Sequence, residues 1–292
     1  MSEKPVITQA MIDAYSEYTH LTLDRRGFMN QLTKLTGSAA AAATVAALIS
    51  ADKARAAMVA SDDPRIKAEE VEYEGAMAPI KGYLVKPAGQ TDKLPAVVVI
   101  HENRGLNEHI RDVARRVALE GFVALAPDFL SEIGGTPADE DKAREMIGQL
   151  EGGQTTENAV AAVAYLNGRD DTTGKVGAVG FCWGGGVTNQ LAVHSPELGA
   201  AVAYYGRQPG AGDVPQIKAA LLLHYAGLDN FINPGIDAYK AALEANGKDF
   251  AIHVYDGVNH AFNNDTSAAR YNKAAADLAW GRTIAFLHEK LS

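Results

Sequence analysis

The sequence predicts an α/β fold, a mostly parallel central sheet with helices on both faces, and three observations carry that prediction. From Arg65 onward short apolar runs alternate with helical patterns, the order produced by successive βαβ units. Residues 96–100 read Ala-Val-Val-Val-Ile, an unbroken run of the kind found where both faces of a strand are covered. Residues 175–181 form another such strand, and it runs without a linker into Cys182 and a glycine-rich turn before a helical pattern resumes at Val187.

The remaining elements follow in order. Residues 71–73 and 80–85 alternate apolar and polar side chains, as an edge hairpin does. After the strand 96–100 a helix presents Ile110, Val113, Val117 and Ala118 on one face. A strand at 122–126 is ended by Pro127, and a helix at 157–166 packs through Val160, Val163 and Leu166. Beyond the glycine-rich turn and its helix at 187–193, strands are expected at 198–205 and 219–224, separated by a loop holding Pro209, Gly210, Gly212 and Pro215. A helix at 236–246, a last strand at 252–255 and a closing helix at 267–291 complete the pattern, with no internal repeat.

A chain of 292 residues with 47% apolar content partitions most simply into an N-terminal segment, 1–60, and one catalytic-sized domain, 61–292. A net charge of −9, with no long Lys/Arg run after residue 65, excludes the electrostatic footprint of a nucleic-acid binder. One cysteine permits neither an intramolecular disulfide nor a multi-cysteine metal site. No pattern sets an oligomeric state.

The N-terminal segment resembles a twin-arginine export signal, which would send the protein to the periplasm. Arg25 and Arg26 supply the pair, Phe28 follows two places on, residues 37–51 make a weakly apolar run, and Ala54-Arg55-Ala56 is a small-x-small cleavage candidate. Asp24 departs from the pattern, standing where such signals usually carry Ser or Thr. The alternative is an Ala-rich helical arm kept on a cytoplasmic protein. The run is too short and too rich in alanine for a stable membrane span.

Chemistry concentrates at Gly180-Phe181-Cys182-Trp183-Gly184-Gly185-Gly186. A nucleophile at a sharp strand-to-helix turn needs small residues two positions away on each side, and Gly180 and Gly184 are those residues. The turn aims the N–H of Trp183 at the oxygen of a carbonyl under attack, and the helix N-terminus favours a thiolate. Two other readings are a buried, inert cysteine and a dinucleotide loop. The first leaves the flanking glycines unexplained, and the second lacks the GxGxxG spacing. Downstream, Asp229 and His260 arrive in the chain order nucleophile, acid, histidine, each in a loop that follows a strand. Asp256 is a rival acid. His224 and His253 are rival bases, but they lie within strand patterns where a core or sheet-face role is expected.

Together these residues resemble the dienelactone hydrolase family, cysteine hydrolases of the α/β-hydrolase fold, over about residues 66–290. The matching motifs are Gly-Phe-Cys182-Trp-Gly-Gly, Asp229, the Gly-x-x-His260-x-Phe loop, and Glu102 within His101-Glu102-Asn103-Arg104-Gly105. The resemblance implies that Glu102 contacts the cysteine and helps to activate it, and that the N–H of Asn103 joins that of Trp183 in an oxyanion hole. It further implies hydrolysis of a small-molecule ester or lactone through a thioester acyl-enzyme, without a cofactor. Arg144 and Asn264 are the substrate-binding candidates, Asn264 standing where the family can carry an arginine. His101-Glu102 lacks the HExxH spacing of a helical zinc site, so no metal is expected. The competing functions are thiol redox chemistry, which needs a resolving thiol from another molecule, and non-catalytic binding on the same fold.

Overall fold

A computed structural model describes residues 6–20, 22–50 and 57–292. The N-terminal segment is helical: α1 spans Gln9–Thr19, α2 Arg25–Thr36 and α3 Ala39–Ile49. Local chemistry sets these limits. Asp24 caps α2 by accepting from Gly27 N at 2.7 Å, which accounts for an aspartate where the export pattern has Ser or Thr. Gly37 ends that helix at φ 79°, and Ser38 caps the next, so that α2 and α3 meet at 112°. Tyr15, Tyr18, Phe28, Leu32, Val45 and Ile49 close over one another as a small apolar core. Within the apolar run at 37–51, residues 39–49 form α3, which buries Ala42, Val45 and Ile49. The Ala54-Arg55-Ala56 cleavage candidate lies outside the described residues. No single helix among the described residues is long and apolar enough to cross a membrane.

The rest is the expected α/β architecture. The hairpin β1 (Ile66–Glu74) and β2 (Pro79–Pro87) leads into β3 (Leu94–Ile100), α4 (Glu108–Leu119) and β4 (Val123–Pro127). Then come α5 (Glu140–Ile147), α6 (Gly152–Asn167), β5 (Thr172–Phe181), α7 (Trp183–His194), β6 (Leu198–Tyr204) and β7 (Ala220–Ala226). The chain ends with α8 (Ile236–Ala245), β8 (Phe250–Tyr255) and α9 (Lys273–Leu291). The strands form one eight-stranded sheet in the order β1-β2-β4-β3-β5-β6-β7-β8. Only the contacts β1–β2 and β2–β4 are antiparallel.

Alternation along β3 shows how two cores arise from one strand. Val97 and Val99 face α4 and α9 through Ile110, Val113, Val117 and Leu287, while Ala96, Val98 and Ile100 face α6 and α7 through Val163, Leu166 and Leu191. The chain order reverses at β3, which lies between β4 and β5, so a crevice opens beyond the C-terminal ends of β3 and β5. Glu102 and Cys182 follow these two strands, and Asp229 and His260 follow β7 and β8.

Helix starts depart from the sequence expectation where a polar cap overrides apolar periodicity. α6 begins at Gly152, because the Glu151 carboxylate accepts from Gly153 N and Gln154 N at 3.0 and 2.7 Å. α9 begins at Lys273, because Asn272 caps it by accepting from Ala275 N at 3.0 Å and the residues before it turn back on themselves. α5 had no counterpart in the sequence reading.

Leu32 is fully buried at the centre of the N-terminal core, so Leu32→Ala should destabilise that unit by about 2–4 kcal/mol. Hydrogen exchange is expected to rise across residues 9–49 while the amides of β3, β5 and β6 stay protected.

Candidate active site

The turn between β5 and α7 is sterically enforced. Cys182 is held at φ 55°, ψ −116°, a conformation strained for any residue with a Cβ. A Cβ on Gly180 would come within 2.5 Å of Gly184 C, and one on Gly184 within 2.5 Å of Ile100 O as well as against His101 O. The two flanking glycines therefore exist because three backbone segments meet there. Cys182 N donates to Tyr204 O at 3.0 Å, anchoring the turn to β6. Trp183 is the first residue of α7, so its N–H has no intrahelical acceptor.

His260 reaches this turn from the loop after β8. Its Nδ1 donates to Asp229 Oδ2 at 2.5 Å, and both side chains are buried. Asp229 Oδ1 accepts from Phe231 N and Ile232 N, each at 3.1 Å, so both carboxylate oxygens are tied. Burial alone would raise the Asp229 carboxyl; the His260 charge and hydrogen bond outweigh it and hold the group below the usual carboxylate range. For His260 burial likewise opposes the charged form. The negative charge of Cys182, then that of Asp229, reverses this and pushes the imidazole up to about 10. His260 Nε2 has no hydrogen-bond partner, although the Cys182 Sγ and a ring nitrogen of His260 lie within 4.8 Å. Cys182 acts on the imidazole chiefly by charge across this short gap.

Glu102 is buried and shares a small cavity with Cys182, His260 and Asn264. Its Oε2 accepts from Asn264 Nδ2 at 2.6 Å, while Asn264 Oδ1 accepts from Thr266 N and Thr266 Oγ1 at 3.0 and 2.6 Å. Both ends of the Asn264 amide are thus engaged within the protein, and it fixes the glutamate. Arg144 is 3% exposed and lines a cavity of about 380 Å³ together with Cys182 and Trp183. Its Nη1 donates to Tyr18 O at 2.7 Å and its guanidinium lies 3.8 Å from the centre of the Tyr18 ring, while Nε has no partner. Asn103 Nδ2 donates to Thr19 O at 2.6 Å. Of the rivals, His224 is buried between Thr283 Oγ1 at 3.2 Å and Tyr255 Oη at 2.9 Å, His253 stacks on it, and Asp256 is exposed.

One residue at the site was absent from the sequence reading. His20, at the C-terminal end of α1, packs edge-on against the His260 ring with centroids 4.6 Å apart and stacks on Phe231 at 4.8 Å. Its Nδ1 donates to Ser16 O at 2.8 Å, and burial lowers its pKa to about 4, so the ring is neutral. No local motif marks it.

The dienelactone hydrolase family matches residues 80–291. This chain belongs to that family. Within it, the chain is 33% identical to a candidate carboxymethylenebutenolidase of Saccharolobus solfataricus over 75% of this chain and 97% of that protein. A candidate carboxymethylenebutenolidase of Methylorubrum extorquens is 32% identical over 86% and 91% of the two chains. The crystal structure of a candidate dienelactone hydrolase from Klebsiella pneumoniae superposes with a TM-score of 0.69 at 29% identity, covering 75% of this chain and 97% of that one. This family member is accordingly a carboxylic ester hydrolase with the α/β-hydrolase fold and a small-molecule substrate. The family match begins in β2, so α1–α3 lie outside it.

Because a methyl group on Gly184 has nowhere to go, Gly184→Ala should cost about 3 kcal/mol or more by overpacking. Urea unfolding would register this as a lower midpoint with an unchanged slope.

Proposed function

We propose that this hydrolase cleaves a small ester or lactone with Cys182 as nucleophile, His260 as base and Asp229 as the group that orients it. The observation that carries the reading is the His260 imidazole, locked by Asp229 and facing, within 4.8 Å, a thiol held at a strained strand-to-helix turn. Cys182 attacks the carbonyl carbon as a thiolate. The carbonyl oxygen takes the negative charge and accepts from the N–H groups of Trp183 and Asn103. Collapse of this intermediate expels the alkoxide, which takes the proton carried by His260, and leaves a thioester on Cys182. His260, neutral again at Nε2, then removes a proton from water as it attacks the thioester, and the thiolate departs.

Glu102 lies in the same cavity as the thiol and, kept in place by Asn264, takes part in setting its charge. Arg144 lines the cavity it shares with Cys182 and Trp183, and its buried Nε has no partner, so a small shift of the side chain lets it donate to an oxygen of the substrate. We also infer that α1–α3 remain on the domain as an arm, because Arg144 and Asn103 both donate to carbonyls at the end of α1. N-terminal sequencing of protein from its native host tests this, and a start near residue 57 would rule it out.

Cys182→Ala should lower turnover of a small aryl ester at least a thousandfold, and Asp229→Asn by roughly 10²–10⁴, with folding intact by circular dichroism. A Cys182→Ala variant retaining more than a few per cent of activity removes the thiol from the mechanism. A pH signature accompanies this. His260 binds its proton up to about 10 when folded against 6.5 as an ordinary histidine, so the folded state holds more protons between those values. The stabilisation is complete below pH 6.5 and is lost as pH rises towards 10. Urea midpoints should therefore fall over that range in the wild type and fall less in His260→Gln.

A further inference from the structure

Two imidazoles and a thiol converge at the mouth of the site, and the second imidazole comes from outside the region that matches the family. The Cys182 Sγ and one ring nitrogen each of His20 and His260 lie within 4.8 Å of one another. With both Nδ1 atoms hydrogen-bonded elsewhere, to Ser16 O and Asp229 Oδ2, the nitrogen each ring offers is Nε2. Both Nε2 atoms are buried and neither has a hydrogen-bond partner. The two nitrogens face the thiol from buried positions, and once His260 gives up its proton an electrophile shared between them satisfies both.

We propose that His20, Cys182 and His260 form a three-ligand site for a thiophilic divalent cation, zinc being the one that fits, and that its binding switches the hydrolase off. Two imidazole nitrogens and a thiolate are the donors that zinc selects, and three protein ligands leave its fourth position to water. Donors around a tetrahedral zinc stand about 3.5 Å apart, so the group has to contract by roughly 1 Å.

The surroundings are those of a metal site rather than of a chance cluster. Each histidine gives its second nitrogen to a carboxylate or a backbone carbonyl, the partner that fixes the tautomer and orients the ring of a metal-bound histidine. The thiolate, Asp229 behind His260, and Glu102 in the adjoining cavity supply negative charge to balance the ion. On binding, the proton shared by the Cys182–His260 pair leaves to solvent and the sulfur becomes a zinc thiolate. Along the chain nothing signals this site, since His20 stands far from the other two ligands and apart from any metal-binding spacing. The site itself rests on geometry; its effect on turnover rests on the roles proposed above for Cys182 and His260.

The test uses the full chain after treatment with chelator. Titration with Co²⁺ should give one ion per chain and a near-ultraviolet thiolate-to-cobalt band that is missing in Cys182→Ala. Stoichiometric Zn²⁺ should displace the cobalt, protect Cys182 from iodoacetamide and stop ester turnover reversibly. His20→Ala, and His20→Phe, which preserves the stack on Phe231, should each weaken zinc binding by roughly a hundredfold or more, since losing a ligand exceeds the roughly 10–100-fold cost of losing a ligand's hydrogen-bond partner. Absence of the cobalt–thiolate band, or zinc binding as tight in both His20 variants as in the wild type, overturns the proposal. A metal-free protein that gives the band but hydrolyses no ester upholds the site and refutes the catalytic assignment instead.

Discussion

The site depends on one steric constraint, the crowding of three backbone segments around Cys182. β5, the first turn of α7 and the end of β3 approach so closely that Gly180 and Gly184 cannot carry a side chain. That crowding holds Cys182 at φ 55°, a conformation costing about 1–3 kcal/mol that survives only because the surrounding sheet and helix leave no alternative. The strain lifts the sulfur out of the sheet toward the crevice. Without it the thiol would face one of the two cores, where a cysteine behaves as a small hydrophobe.

Electrostatics follows from that placement. The start of α7 favours negative charge on the Cys182 sulfur, and a ring nitrogen of His260 stands within 4.8 Å of it. The imidazole is desolvated, which by itself would discharge it, yet Cys182 and Asp229 on either side keep it charged. Asp229 stays ionised in turn because two backbone N–H groups take one of its oxygens while His260 takes the other. His260 and Asp229 are buried, and each keeps its charge against burial through its neighbours. The arrangement is stable only as a unit, so single substitutions along it should not act additively.

Much of this was legible in the sequence, for a definite reason in each case. The turn could be read because its steric requirement is local: the two glycines and the cysteine occupy five consecutive residues. Asp229 and His260 could be read because the fold constrains the chain order in which loops reach the crevice. The bond of Asn264 to Glu102 could not be read, since it joins residues 162 positions apart. Position alone suggested a substrate contact. Helix α5 escaped because its eight residues make barely two turns, too few for an apolar period to stand out. Arg144, a substrate-binding candidate along the chain, is covered by Tyr18, a partner from the far N-terminal segment.

That segment is where reading along the chain and reading in space diverge most. The twin arginines and the alanine run draw attention to export, whereas the residues that touch the crevice, Tyr15, Thr19 and His20, precede them. A helix leaves its last carbonyls without intrahelical donors, and those of Tyr18 and Thr19 are met by Arg144 and Asn103 from the catalytic domain. The arrangement is reciprocal. Without α1, a buried guanidinium and an amide beside Cys182 would lose their acceptors; without the domain, the end of α1 would be bare. Removing the arm therefore uncovers unsatisfied polar groups in the wall of the cavity itself, as well as exposing surface. The arm is on these grounds part of the site, although the motif that defines the family contains none of it.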